Sequence, residues 1–324
     1  VLKHFIATEG TQMPELISPN RVNELVDYLK AGAADKHSIL PCGNQTRLTR
    51  HFPKATPEVL ISTAKMASIH WIDAIDQTCE VDAGVSLHQL NEALRPHGLC
   101  LGVDSPHSKT GTLGGLFMSP DLTLLHGACG GTREQVLGAT WVLADGTIIK
   151  TGGRVVKNVA GYDVTRLFLG SRGRLAICTT LSLRLRPLPR LTKWWTTSLK
   201  KSLAAPCVRM AFSPAADSRA WVQTAGLEQA PHSSFQLADP QEAEQIRLRT
   251  LEQFAGTPFR HAHLSAPTEW QDDAWELTGH QQCLQKPIDA EGQGIPHRME
   301  SRWLDELSAA CCPTGLRFLK RPAL

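Results

Sequence analysis

Val22, Leu25, Val26 and Leu29 recur at helical spacing behind Pro19-Asn20, and Gly32 ends the run, so the pattern predicts a first amphipathic helix there. A strand over His37 to Leu40 then opens into Pro41-Cys42-Gly43-Asn44-Gln45-Thr46, a loop of small and polar residues. Leu60 to Thr63, Ile69 to Ala74 and Thr78 to Ala83 read as short strands, and Ser86 caps a helix carrying Leu87, Leu90 and Leu94 that ends near Gly98. Prolines and glycines leave little room for regular structure over Leu101 to Gly115, and Pro120 to Gly131 reads as irregular. Val136 to Leu143, the Asp145-Gly146 turn and Thr147 to Lys150 form a hairpin signal. Gly152-Gly153 breaks that strand, Asp163 caps a short helix with Val164, Leu167 and Phe168 that Gly170 stops, and Leu175 to Thr179 reads as a buried strand. Leu181, Leu183 and Leu185 alternate with Ser182, Arg184 and Arg186 as an amphipathic strand, which Pro187-Leu188-Pro189 punctuates. Beyond it, Asp239 as N-cap, Pro240 and Glu242 open a helix through Ala243, Ile246, Leu251 and Phe254 that Gly256 stops. A further helix is predicted over Arg298 to Ala310, while residues 257–297, polar and rich in His and Gln, carry too weak a periodicity to assign.

Short strands alternating with helices predict an α/β (α+β) protein, and 324 residues suffice for two ordinary domains. The proline punctuation places the boundary so that residues 1–190 form one domain and residues 191–324 a smaller one. A charged content of 20% and a net charge of +3 set aside nucleic acid as a partner. The opening VLKHFIATEGTQ lacks a signal-peptide core, and no apolar run reaches the roughly 20 residues that span a bilayer, so no transmembrane segment and a cytoplasmic location are expected.

Nine scattered cysteines without any C-x-x-C point to reduced thiols and away from zinc-finger and ferredoxin sites. Cys311-Cys312 reads as a redox pair or, more simply, as two small buried side chains. His261 and His263 lack further ligands, so no metal is expected, and His107 reads as a turn residue sooner than a catalytic one. No G-x-G-x-x-G follows a strand, and G-x-x-x-x-G-K-[ST], G-x-S-x-G and H-E-x-x-H are absent. Six of the eight tryptophans fall beyond residue 190, where glycine-rich loops do not recur, so that half suits packing or partner contact more than cofactor cradling.

Three small-residue loops remain, at residues 41–46, 101–115 and 152–180. Each admits two readings, an ordinary connector or a ligand loop whose backbone N–H groups reach an anion because no Cβ intervenes. Three such loops in one domain suit one long cofactor contacted along its length.

PCGNQTRL resembles the pyrophosphate loop of the FAD-binding domain shared by relatives of vanillyl-alcohol oxidase and p-cresol methylhydroxylase, the PCMH type. DAGVSLHQLNEALRPHGLCLGVDSPH with TLGG is similar to their next flavin-contacting segment, and TREQVLGATWVLADG to the one after it. GGRVVKNVAGYDVTRLFLGSRGRL resembles the FAD-binding E subunits of bacterial glycolate oxidases, so the likeness covers about residues 37–189. It implies a two-subdomain PCMH-type FAD-binding domain followed by a smaller α/β cap-like domain.

Carried over, Pro41 and Gly43, Asn44, Gln45 and Thr46 would hold the diphosphate, and Pro106, Gly111, Thr112, Leu113, Gly114 and Gly115 the diphosphate and ribityl path. Lys157, Asn158, Gly161 and Tyr162 would approach the ring, where a lysine charge favours the reduced, anionic flavin, and Ile177 would offer backbone contacts. No loop histidine stands where some relatives tether flavin, so the FAD is expected to be non-covalent. The chain departs from the pattern at Asn44-Gln45, where relatives carry more glycine, at Pro120-Asp121-Leu122, where they carry a basic run, and at Arg172, Arg174 and Ala176. Cys312 to Phe318 matches their C-terminal motif weakly.

The resemblance implies a FAD-dependent oxidoreductase acting on the CH–OH group of a small 2-hydroxy acid, as in glycolate catabolism. It would work beside a second flavoprotein subunit and an iron–sulfur subunit, reaching the membrane only through them. No residue is named as catalytic base. The alternative is a non-catalytic subunit of the same complex, binding FAD or lacking it.

Overall fold

The structure, a computed structural model, describes residues 14–35, 37–48, 57–120, 123–153, 164–198, 207–212, 219–230 and 233–254. Lys157, Asn158, Gly161, Tyr162, the cap Asp163, His261, His263, Cys311-Cys312 and the helix expected at Arg298 to Ala310 lie outside the described residues.

Strands β1 (Glu15–Ile17), β2 (Ile39–Cys42) and β3 (Val59–Ser62) form a parallel sheet in the order β1-β3-β2. Helix α1 (Val22–Asp35) makes the crossover, and its Leu25, Val26 and Leu29 bury against Ile39, Val59 and Ile61. The helix runs past Gly32, where it was expected to stop, because the alanines around it favour helix and a single glycine costs only about 1 kcal/mol. Strand β2 is shifted two residues beyond the expected His37 to Leu40, and it admits Pro41 because it is an edge strand whose missing N–H costs no ladder bond.

A second, antiparallel sheet has the order β4-β5-β9-β7-β8, from β4 (Ile69–Asp73), β5 (Thr78–Asp82), β7 (Val136–Val142), β8 (Ile148–Gly152) and β9 (Ile177–Arg184). Helices α2 (Leu87–Leu94), α3 (Leu113–Met118) and α5 (Val164–Phe168) share its core, where Val81, Trp141, Leu181 and Leu183 meet Leu90, Phe117 and Phe168. Ser86 caps α2 as expected, accepting from Gln89 N at 3.1 Å while Gln89 Oε1 accepts from Ser86 N at 2.9 Å. What reads in sequence as a buried strand followed by an alternating one is the single strand β9, whose central position buries residues of both faces.

The stretch expected to lack regular structure instead starts α3 at Leu113, and α4 (His126–Cys129) interrupts the following irregular segment. Two glycines in a first turn argue against helix by propensity, but burial of Leu113, Leu116 and Phe117 overrides that preference. Two short strands, β6 (Leu99–Cys100) and β10 (Arg186–Pro187), pair antiparallel.

Beyond the proline punctuation the chain forms a separate antiparallel sheet, β12-β13-β11-β14, from β11 (Thr192–Ser198), β12 (Cys207–Phe212), β13 (Arg219–Ala225) and β14 (Gln236–Leu237). Helix α6 (Pro240–Phe254) starts where its cap predicts, with Asp239 Oδ1 accepting from Gln241 N at 3.0 Å and Glu242 N at 2.8 Å. Trp194 and Trp221 join Ala243, Ile246 and Leu251 in one cluster, while Trp195 packs with Val222 and Phe235 in another, so these three tryptophans serve packing. Arg247 of α6 reaches back to Asp104 at 3.3 Å, both side chains largely buried.

Candidate active site

Past the carboxyl end of β2, residues 43–48 cross towards the second sheet, the end of a parallel strand where α/β proteins bind their ligands. Ser62 Oγ donates to Gly43 O at 3.0 Å, Thr63 N donates to Cys42 O at 3.0 Å, and Asn44 Nδ2 donates to Thr110 O at 3.0 Å. These bonds hold the loop open at its middle. None of Gly43, Asn44, Gln45 or Thr46 donates its backbone N–H to a carbonyl among the described residues. Gly43 is glycine because Thr112 fills the place of a Cβ, its Cγ2 lying 2.8 Å from that position. Gln45 takes a left-handed φ of 60°, which glycine adopts without strain and glutamine does not.

Facing this loop is the N-terminus of α3. Leu113 N donates to Val85 O and Gly114 N to Ala83 O, both at 2.7 Å, and the capping Thr112 Oγ1 accepts from Gly115 N at 3.1 Å. The first-turn amides are therefore spent on anchoring the helix, and the open donors belong to residues 43–46. At the other end, Gly170 N donates to Phe117 O at 3.1 Å and Arg172 N to Met118 O at 2.9 Å, satisfying carbonyls that a helix terminus leaves unpaired. Arg172 adopts a left-handed φ of 58° in doing so.

Between these walls lies a cleft of about 610 Å³, the solvent at its mouth included. Pro41, Gly43, Asn44, Gln45, Thr46, Thr112, Gly114, Gly115 and Ile177, all expected at the site, line it. Ile177 does so from the start of β9 while its side chain is buried in the core. Pro106, Gly111 and Leu113 do not line it: the Leu113 side chain is in the hydrophobic core, and Gly111 stands behind Arg47, whose Nη1 is 2.9 Å from where its Cβ would be. Lys157, Asn158, Gly161 and Tyr162, expected to approach the ring, lie outside the described residues.

Leu48, Met118, Ala176, Cys42 and Cys178 give the cleft an apolar floor. Burial pushes the Cys42 thiol up to about 12 and Cys178 higher, so both stay protonated and act as small apolar side chains at neutral pH. Among the described lining residues the charged side chains are Arg47 and Arg172, and no carboxylate joins them. A planar, anionic cofactor fits such a place: open amides at one wall, two cations, and an apolar floor. Sequence reasoning passed over Arg47, although a long cation inside a loop of small residues is itself a signal, and it met Arg172 only as a departure from a family pattern.

Among the described residues, no helix is long and apolar enough to cross a membrane, and no cluster of His, Cys, Asp and Glu could hold a metal ion. Residues 14–152 match the family of FAD binding domains. The glycolate oxidase subunit GlcD of Bacillus subtilis is 34% identical over 182 residues, 56% of this chain and 39% of the relative. A D-lactate dehydrogenase of Archaeoglobus fulgidus is 32% identical over 186 residues, 57% of this chain and 42% of the relative. A D-2-hydroxyglutarate dehydrogenase of Xanthomonas citri is 29% identical over 171 residues, 53% and 36% of the two chains. The chain thus spans about two fifths of the length of these relatives. The match begins just before β1, ends at the last residue of β8 and contains both the open loop and the N-terminus of α3, so it is over residues 14–152 that this chain is similar to FAD binding domains.

Proposed function

We propose that the cleft holds FAD non-covalently and that the protein is a FAD-dependent oxidoreductase acting on the CH–OH group of a small 2-hydroxy acid. The observation that carries this reading is that the backbone amides of Gly43 to Thr46, placed across the cleft from Thr112 and Gly115 inside the matched domain, donate to no carbonyl among the described residues. FAD, when bound, supplies the two-electron acceptor for C–H oxidation. The chain's own residues bind and orient it: residues 43–46 offer N–H donors to its diphosphate, Thr112 and Gly115 border its path, and Cys42, Met118 and Ala176 exclude water. Oxidation of glycolate, D-lactate and D-2-hydroxyglutarate by the named relatives supports the substrate class. We assign the catalysis to an assembly, with a second flavoprotein subunit and an iron–sulfur subunit receiving the electrons. Residues 1–190 serve as the FAD-binding domain and residues 191–324 as the cap-like one.

A second reading, a subunit that binds FAD weakly or not at all and serves as a scaffold, draws on Gln45 and Arg172, two non-glycine residues in left-handed conformations on the cleft walls. The purified chain's visible spectrum separates the two. Bound oxidised flavin absorbs near roughly 450 nm, and acid precipitation should leave all of it in the supernatant. Colour in the pellet would refute non-covalent attachment, and a colourless chain that takes up no added FAD would leave the scaffold reading. Dye-linked oxidation of the three acids, alone and with co-purifying subunits, then tests substrate and partners. Rapid turnover by the isolated chain would sink the assembly.

A further inference from the structure

Arg47 is only 6% exposed, and an arginine is rarely held so far from water without a use for its charge. Its Nη2 donates to Ser105 Oγ at 2.9 Å, a bond that joins the open loop to the 105–112 segment. Its Nη1 lies 2.9 Å from the position a Cβ would take on Gly111, so that glycine makes room for the guanidinium, and 3.6 Å from that on Gly115, an ordinary contact distance at the cleft wall. The same head group lines the cleft, directly after the four residues whose amides are uncommitted. A diphosphate entering there would leave water for a floor of Cys42, Leu48, Met118 and Ala176, where an unneutralised charge is costly. The guanidinium presents its N–H donors in a planar fork whose geometry matches phosphate oxygens, and the bond to Ser105 fixes the plane of that fork.

We propose that Arg47 is the charged ligand of the cofactor's diphosphate and that Ser105 positions it. The inference rests on the reading that FAD binds in this cleft. In the test, the full chain and its R47M, R47K and S105A variants are stripped of flavin. Folding is checked by circular dichroism and melting, FAD affinity is measured by flavin fluorescence, and inorganic pyrophosphate is used as a second probe. R47M should bind FAD about 10- to 100-fold more weakly, the loss of one charge-assisted bond, and with less dependence on salt. R47K, which keeps the charge without the fork, should fall between R47M and the unaltered chain. Pyrophosphate should raise the melting temperature of the unaltered chain and not that of R47M.

Equal FAD affinity and equal stabilisation by pyrophosphate in a folded R47M would overturn the inference and leave the cleft reading standing. An unaltered chain that binds no FAD would instead defeat the cleft reading, and the pyrophosphate arm alone would then decide Arg47. If R47M does not fold, S105A carries the test, since it retains the charge and removes only the group that aims it. A several-fold weaker affinity is expected of S105A, and an unchanged one would overturn the assignment.

Discussion

Gly114 and Gly115 are neighbours in the same turn of α3, yet their substitution by alanine should fail in different ways. An added Cβ on Gly114 would lie 2.9 Å from Ala83 Cβ and 3.1 Å from Ala83 O, contacts too short for either side to keep its place. Ala83 is itself fully buried and donates its N–H to Thr179 O, so it is held on the sheet side and the helix must move. Displacing α3 strains the bonds from Leu113 to Val85 and from Gly114 to Ala83, and it shifts the buried Leu116 and Phe117. Overpacking of a core costs about 1–3 kcal/mol and each lost bond about 1 kcal/mol, so G114A should lose about 3 kcal/mol, or roughly 10 °C in melting temperature. A Cβ on Gly115 meets only Thr112 Oγ1 at 3.3 Å and Arg47 Nη1 at 3.6 Å, and alanine gains about 1 kcal/mol of helix propensity over glycine. G115A should therefore melt within a few degrees of the unaltered chain while its FAD affinity falls, because the new methyl group stands at the cleft. Thermal melts of the flavin-free proteins and flavin fluorescence titrations separate the two effects. A G114A protein as stable as the original, or a G115A protein that unfolds while the cleft is otherwise intact, would refute this division of roles.

Gln45→Val places a β-branched side chain in a left-handed conformation and should cost about 1–3 kcal/mol, whereas Gln45→Gly should not lower the melting temperature; equal effects would show that the left-handed turn is not held in solution. Asp104→Asn leaves the Arg247 guanidinium inside the protein with the half-exposed Glu244 as its charged partner among the described residues, and should cost about 3 kcal/mol in a denaturant titration; a loss under about 0.5 kcal/mol would mark the pair as unimportant. Burial raises Cys42 and Cys79 from the ordinary 9.0 to about 12 and raises Cys178 further, so the folded protein keeps these protons while the unfolded chain releases them. Stability should thus be full below pH 9 and fall as pH rises towards 12, by about 1.4 kcal/mol per pH unit for each thiol, and replacing all three by alanine should flatten that alkaline slope. A slope unaltered by the substitutions would show that the thiols are accessible.

Local signals in the sequence carried a good part of this protein. The Ser86 and Asp239 caps, the apolar periodicity of α1 and the Asp145-Gly146 hairpin each depend on residues a few positions apart, so they are legible without knowledge of the fold. The small-residue loops stood out for the same reason, since glycine and small polar residues announce close backbone approach wherever they stand. What each glycine approaches was not legible. Gly43 yields to Thr112, Gly111 to Arg47 and Gly114 to Ala83, partners that are 31 to 69 positions away and that only chain packing brings together. Helix α3 escaped detection because its two glycines oppose helix locally while Leu113, Leu116 and Phe117 favour it only through a core assembled by β5, β7 and β9. Arg47 escaped because a cation in a polar loop is ordinarily solvated, and its burial is a property of the cleft rather than of the loop. Periodicity and caps suffice for the class of fold, and a family resemblance for the cofactor; which loop amides donate to no described carbonyl, and which charge lies beside them, follows only from packing, because both depend on contacts made far along the chain.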